Sequence, residues 1–154
     1  MRDGETFDYA LATRTEPPLH HRAYVPTLAE LVDRLSICQL KAIFIPEHGE
    51  AYQEEIRLIQ HDIGRLLEGV SLSGEAVRAI CMIQLTNRYI WENESRARQG
   101  GDDQDRLLKL THSINGVRNT AKNVLARATG ERLDHKIDCF ASDLVAEFGN
   151  WNVF

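Results

Sequence analysis

Polar side chains recur at helical spacing in two long segments of this sequence, and their types are those that bind anions. The first segment carries Gln84, Arg88, Trp91 and Ser95, and the second carries Thr111, Asn115, Arg118 and Lys122. Residues three and four apart lie on one face of a helix, so each set forms a continuous stripe. Guanidinium and ammonium groups that converge between two helices could bind a phosphate or a carboxylate.

The glycine pair at 100–101 predicts that the two segments form an antiparallel helical hairpin. In the expected register, three pairs meet: Arg88 with Asn115, Gln84 with Arg118, and Trp91 with Thr111. We therefore predict a polar, anion-favouring groove between the helices. Its candidate binding residues are Arg88, Trp91, Glu94, Asn115, Arg118 and Lys122.

The apolar seam of the first long helix contains two polar side chains. Its expected members are Ala76, Ile80, Ile83, Asn87, Ile90, Glu94 and Ala97. A buried polar group needs a partner to offset its desolvation, and Glu94 could find one in Arg98, one turn further on. A second interpretation of the stripes and the seam is therefore a satisfied buried network that fixes helix register, as polar residues do in coiled coils.

Patterns for metal-dependent or nucleophilic catalysis are weak in this sequence. Glu92 and Glu94 are two residues apart, so they point to different sides of a helix and cannot hold a metal together. His135 and Cys139 lie one turn apart but supply only two zinc ligands. The phosphate-binding and nucleophile-elbow motifs are absent. We therefore assign no catalytic residue, no metal and no cofactor.

Hydrophobic periodicity predicts an all-α fold, a five-helix bundle built on the long antiparallel hairpin. The expected helices run from about Leu28 to Ile45, Glu50 to Glu68, Gly74 to Arg98, Asp103 to Ala128, and Glu131 to Phe148. Capping residues support three of the starts: Thr27 with Glu30 in a capping box, Ser73, and Asp102. The expected domains are an extended N-terminal arm (1–26), a single helical domain (27–148) and an aromatic C-terminal tail (149–154).

Composition and charge limit the partners that we expect. The net charge of −5 argues against a nucleic-acid binder that relies on general attraction to phosphates. No apolar run reaches the roughly 18 residues that a membrane span requires, and the N-terminal region lacks an apolar signal segment. We therefore expect a cytoplasmic protein without membrane contact, in which Cys38, Cys81 and Cys139 are reduced thiols.

The first and third helices are apolar on two sides. In the first helix Ile37, Leu40 and Phe44 lie away from the main seam, and in the third Met82, Leu85 and Tyr89 do the same. A helix of this kind is expected to lie between two layers rather than on a surface. Two such helices are difficult to cover within one small chain, so we predict a homodimer.

The run "LAELVDRLSICQLK" (28–41), followed in order by "WENESRAR", "INGVRNTAKNVL" and "DHKID", resembles an uncharacterised family of short, all-helical bacterial and phage proteins. The resemblance covers most of residues 27–140 and implies the fold but no reaction. The family's recurring polar positions would fall on Asp33, Ser36, Lys41, Trp91, Glu94, Asn115, Arg118, Lys122 and Lys136.

These observations favour a non-enzymatic binding or assembly module with a small anionic ligand in the interhelical groove. The alternative is a small hydrolase or transferase that acts on a phosphate-bearing metabolite, such as a nucleotide or a sugar phosphate. A bound anion beside carboxylates without arginine partners would favour the enzyme. A dry groove with every group paired internally would favour the module.

Overall fold

The computed structural model describes residues 24–134, which form four α-helices and one short 3-10 turn. The helices are α1 (Leu28–Phe44), α2 (Gly49–Leu66), α3 (Gly74–Arg98) and α4 (Gln104–Thr129), and the 3-10 turn (Pro46–His48) precedes α2. This part of the chain contains no strand, so the predicted all-α class is confirmed.

The predicted fifth helix does not begin at Glu131. Gly130 ends α4 in the left-handed conformation (φ 72°), and residues 131–134 form no helix. Glu131 and Arg132 bind the start of α1, and the Asp134 backbone N–H donates to Asn123. The remainder of that predicted helix lies outside the described residues. So do residues 1–23 of the predicted arm and the predicted tail (149–154).

Two of the three predicted helix caps are present. Thr27 and Glu30 form the capping box of α1, and the Ser73 side chain accepts a hydrogen bond from the backbone of Ala76 at 3.1 Å. The predicted cap at Asp102 is wrong. The N-cap of α4 is Asp103, whose side chain makes no capping hydrogen bond because its backbone (φ −90°, ψ 0°) lacks the extended geometry of a capping residue.

Helices α3 and α4 have 25 and 26 residues and lie against each other in opposite directions. The first half of α3 packs on the second half of α4 through Ala76, Ala79, Ile83, Ala121, Val124 and Leu125. The second half of α3 packs on the first half of α4 through Ile90, Leu110, Ile114 and Val117. The alanines let the two backbones approach closely, and this fixes which face of each helix is buried.

Helix α1 lies between two layers, as its two apolar faces indicate. Leu31 and Cys38 pack on Ile56 and Ile59 of α2, and the face that carries Val32 packs on α3 and α4. Most of α1 is therefore covered within one chain, while Ile43 and Phe44 at its end remain 58% and 48% exposed. None of the helices in residues 24–134 is long and apolar enough to cross a membrane.

The segment after α4 closes onto the start of α1. The Glu131 carboxylate accepts a hydrogen bond from the Leu28 backbone N–H, at 2.8 and 3.0 Å from its two oxygens. One residue on, the Arg132 guanidinium donates to Glu30 at 2.7 Å and lies over the Tyr24 ring at 4.5 Å. Residues about one hundred positions apart in sequence are thus joined at the end of the molecule where α1 starts.

Glu131→Ala should lower the free energy of unfolding by about 1 kcal/mol. The substitution leaves the buried N–H of Leu28 at the first turn of α1 without its acceptor, which is equivalent to the loss of a helix cap. Urea unfolding measures the change. Glu68→Ala is the matched control, since Glu68 also follows a helix but holds only an exposed ion pair with Arg65, and a change under about 0.5 kcal/mol is expected. Equal losses in the two variants would contradict the capping role of Glu131.

The ionised form of Glu30 should stabilise the fold, and acid should remove that contribution. Burial alone would raise the pKa of Glu30, but hydrogen bonds from Tyr24 and Thr27 and the positive Arg132 together hold that pKa below its ordinary value of 4.5. A pKa lowered by folding gives stability that is present above pH 4.5 and lost as the pH falls through the folded-state pKa. Urea unfolding of wild type and Glu30→Gln across this range should show a stability difference that shrinks in acid. A difference independent of pH would refute this assignment.

Candidate functional site

A buried amide, Asn87 on α3, joins three helices. Its Nδ2 donates to the Asp33 carboxylate at 2.7 Å and to the Ser36 hydroxyl, both on α1. Its Oδ1 accepts from Arg118 Nη1 on α4 at 2.9 Å. The residue is only 3% exposed, so these bonds replace the water that the amide would otherwise bind.

The Asp33 carboxylate lies between two cations of α4. Lys122 Nζ is 3.2 Å from one carboxylate oxygen, and Arg118 Nη1 is 4.0 Å from the other. The Asp33, Lys122 and Arg118 side chains are 14%, 19% and 22% exposed, so solvent screens their charges less than at an open surface. Two positive charges face one negative charge, which leaves the cluster with an excess of one positive charge.

The network retains unused hydrogen-bonding capacity. Within residues 24–134, the buried Arg118 Nε has no hydrogen-bond partner. The ammonium of Lys122 carries three protons, and its contact in the network is with Asp33. Ser36, by contrast, both donates to the Asp33 carbonyl at 2.9 Å and accepts from Asn87. The buried donor of the network that lacks a partner therefore belongs to a cation, Arg118, rather than to a neutral group.

Lys122 lies where two clefts meet. The smaller, about 250 Å³, is mostly polar and is also lined by Glu30, Asn123 and Arg132. The larger, about 670 Å³, runs between α1 and α2 and is also lined by Asp33. The apolar side chains of the larger cleft are Pro26, Leu31, Ile37, Leu58 and Ile59. A small molecule in either cleft would lie beside the Lys122 side chain.

The structure brings together only part of the predicted groove. Arg118 and Lys122 meet at Asp33, and Asn115 lies half-buried one turn before Arg118 on α4. The predicted register is wrong: Arg118 meets Asn87 rather than Gln84, three residues further along α3. The face of α3 that packs on α4 is the one that carries the small residues Ala76 and Ala79. The predicted polar stripe of α3 therefore points away from α4.

Arg88 and Trp91 contact the end of α1 instead of the α4 cations. The Arg88 guanidinium lies 4.9 Å from the centroid of the Phe44 ring. That ring also stacks on the Trp91 ring, with 6.2 Å between the two centroids. Arg88 also forms an exposed ion pair with Glu92 at 3.5 Å. These two members of the predicted groove therefore belong to a separate aromatic and cationic cluster.

Glu94 is exposed, contrary to its predicted place in the seam. It pairs with Arg98 at 3.5 Å, which is the simpler interpretation offered above. Helix α1 ends at Phe44, which stacks on Trp91, so α1 does not extend over the next turn of α3. The buried polar residue of this turn is Asn93, which faces elsewhere on the helix and is 2% exposed.

The groove predicted from spacing does not include Asp33 and Ser36, because helical periodicity does not show which helices meet. Both were among the positions marked by the family resemblance, as were Arg118 and Lys122. The polar Asn87 in an apolar seam was the other available signal, since a buried amide demands partners.

Other chemistry in the described residues is sparse. In residues 24–134 no three side chains of His, Cys, Asp or Glu are grouped so as to hold a metal. Burial, followed by the nearby Glu55 carboxylate, raises the pKa of the Cys38 thiol. A buried thiol with a raised pKa is a poor nucleophile at neutral pH.

Comparison of the chain with protein-family models, with curated proteins and with solved structures gave no match in any of the three.

Arg118→Ala should destabilise the fold more than Arg96→Ala. Removing the Arg118 guanidinium leaves the buried Oδ1 of Asn87 without its donor, which should cost about 1–3 kcal/mol. Arg96 is exposed on α3, and its removal should change the free energy of unfolding by less than about 0.5 kcal/mol. Thermal and urea unfolding of both variants measure the difference. Equal stability of the two would contradict a structural role for the network.

Proposed function

We propose that this protein is a non-enzymatic helical binding and assembly module whose ligand is a small anion bound at Lys122, with the charge of Arg118 close behind it. The observation that carries this proposal is the excess positive charge of the network, in which two largely buried cations face the single carboxylate of Asp33. A phosphate or carboxylate at Lys122 would neutralise that excess and accept a charge-assisted hydrogen bond from the ammonium.

The surroundings of Lys122 support access for a ligand. Its side chain is 19% exposed, so it reaches solvent without leaving the network. The cleft between α1 and α2 has a volume of about 670 Å³, within the range of small-molecule sites, and its lining mixes apolar side chains with four acidic and three basic ones. Asn87 and Ser36 hold Asp33, and Asp33 in turn positions Lys122. The ammonium is therefore fixed before any ligand arrives.

A purely structural network is the competing interpretation. It accounts for Asn87 and Ser36, whose hydrogen bonds lock α1 onto α3. A structural role alone does not require two cations beside one carboxylate, because a buried unpaired charge is costly. We therefore propose that the network performs both roles.

The alternative function, hydrolysis or group transfer on a phosphate-bearing metabolite, has less support. It needs a general base or nucleophile beside the anion, and the adjacent carboxylate of Asp33 already accepts hydrogen bonds from Lys122 and Asn87. Release of inorganic phosphate from nucleotides or sugar phosphates in the presence of the protein would favour this alternative.

The assembly part of the proposal is a homodimer. Its support is the outer face of α3, where Val77 and Leu85 are 49% and 57% exposed. From the sequence we further propose that the protein belongs to the family of short, all-helical bacterial and phage proteins, that it forms a five-helix bundle, and that it is cytoplasmic.

Inorganic phosphate should stabilise the wild-type protein against heat, and Lys122→Met should lose most of that response. A ligand present at about one hundred times its dissociation constant stabilises by about 2.7 kcal/mol, which a thermal-shift titration detects readily. Lys109→Met is the matched control, because Lys109 is an exposed lysine on the same helix, and it should keep the wild-type response.

Asp33→Asn should strengthen phosphate binding, because it removes the negative charge that competes with the anion for Lys122. Chloride at equal ionic strength separates specific binding from general salt effects. An absence of any phosphate response in wild type and in Asp33→Asn would leave only the structural role of the network.

A further inference from the structure

The hairpin of α3 and α4 has a groove on the side opposite α1, which we call the back groove. Its α3 wall is formed by residues that share one face at helical spacing, namely Met82, Thr86, Tyr89 and Asn93. Its α4 wall is formed in the same way by Ser113, Gly116 and Thr120. Asn87 and Arg118, which meet α1, lie on the other side of the same two helices.

The back groove is buried, although none of the helices in residues 24–134 lies over it. Asn93 and Ser113 are only 2% and 6% exposed, and Gly116 is buried as well. Helix α1 packs on the opposite side of the hairpin, and α2 packs on the far side of α1. Contact with α3 does not account for Gly116, which is turned away from the line of Ile114 that faces α3. Another part of the chain must therefore cover this groove.

The chemistry of the back groove suits an apolar helix. The hydroxyls of Thr86, Ser113 and Thr120 each donate to a carbonyl of their own helix, at 2.8, 3.2 and 3.0 Å, so they need no outside partner. Gly116 has no side chain, so the backbone of a second helix can come close to it. Within the described residues, the buried Nδ2 of Asn93 has no partner, so an occupant could also supply one acceptor.

The chain reaches one end of the back groove at Asp134. Asn123, one turn beyond Thr120 on α4, donates to the Asp134 carbonyl at 2.6 Å and accepts from its backbone N–H at 2.9 Å. At the other terminus of the described chain, the Tyr24 hydroxyl binds Glu30 on α1, which lies on the opposite side of the hairpin. The segment that follows Asp134 is therefore better placed to enter the groove than the segment that precedes Tyr24.

The segment after Asp134 also has a suitable length and pattern. Residues 135–148 lie outside the described part of the chain, and the sequence predicts a helix there with Ile137, Phe140 and Leu144 on one face. A helix of this length spans about 21 Å, and the groove from Asn123 to Ser113 is about 15 Å long at the same rise per residue.

We infer that residues 135–148 form a helix that lies in the back groove, antiparallel to α4. The inference rests on the five-helix bundle of the proposed function and adds the surface that the fifth helix binds. The contact between Asp134 and Asn123 sets the register, in which each step forward along the segment is one step back along α4. Three pairs then lie opposite each other: Ile137 and Thr120, Ala141 and Gly116, and Leu144 and Ser113. The pair without large side chains, Ala141 and Gly116, is the point of closest approach.

Hydrogen exchange of the full chain, measured by mass spectrometry, tests the surface. Gly116→Leu fills the groove and should speed exchange of the amides of residues 135–148 by about tenfold or more. Gly64→Leu is the matched control, because a Cβ added to Gly64 on α2 meets no atom within 4 Å, and it should leave that exchange unchanged. Both variants add the same side chain to a helical glycine, so helix propensity cannot explain a difference between them.

A disulfide cross-link tests the register without filling the groove. In a chain that carries Cys139→Ser, the pair Thr120→Cys/Ile137→Cys should form an intramolecular disulfide on mild oxidation. The pair Thr120→Cys/Leu144→Cys should form none, since the two positions are seven residues out of register, about 10 Å along the helix and beyond the reach of a disulfide. Mass spectrometry of tryptic peptides identifies the linked pair.

The outcomes separate this inference from the proposal on which it rests. Faster exchange in Gly116→Leu alone, with the cross-link only in register, would support the docked helix. Slow exchange of residues 135–148 that survives Gly116→Leu, without the cross-link, would overturn the back groove and leave the fifth helix intact. Fast exchange of these residues in the wild type would overturn both. If Gly116→Leu does not fold, the presence or absence of the cross-link decides.

Discussion

The hydrogen-bonding needs of one buried amide determine how three helices of this protein meet. Asn87 lies where water cannot reach it, and its donors and its acceptor are satisfied only while Asp33, Ser36 and Arg118 are within about 3 Å. Apolar packing alone would permit α1 to slide or rotate on α3 and α4. The directional bonds of Asn87 exclude those alternatives, because each displacement leaves a buried polar group unpaired.

The same constraint produces the chemical character of the site. Asp33 is held by Asn87, and Lys122 reaches Asp33 from α4, so the position of the ammonium follows from the position of the amide. A network built only for stability could consist of neutral groups. The second cation gives the network a net charge at the point where two clefts meet, and that charge is the basis of the proposed anion binding. Structure and function thus depend on the same few side chains.

The sequence and the structure differ most in which polar residues meet. Arg118 and Lys122 were identified from spacing on a single helix, where periodicity is reliable because the helix geometry is fixed. Arg88 has the same spacing on α3 but lies beside Phe44, since rotation of α3 about its axis depends on the small residues Ala76 and Ala79 that approach α4. Strict heptad counting predicts that Glu94 lies in the seam, but the buried line of α3 runs through Ile90, Asn93 and Ala97 and leaves Glu94 exposed beside it.

Local sequence was sufficient to determine the all-α class, the ends of α3, the capping box of α1 and the left-handed end of α4. Those features depend on residues within a turn or two of one another, so the chain specifies them without reference to the rest of the fold. Tertiary structure alone determined that Asp33 and Ser36 belong with Arg118 and Lys122, and that Glu131 caps α1 from the far end of the described chain. These contacts join residues on different elements, and the relative rotation and shift of packed helices set their geometry. That rotation and shift come from the summed packing of many side chains, which no single stretch of sequence encodes.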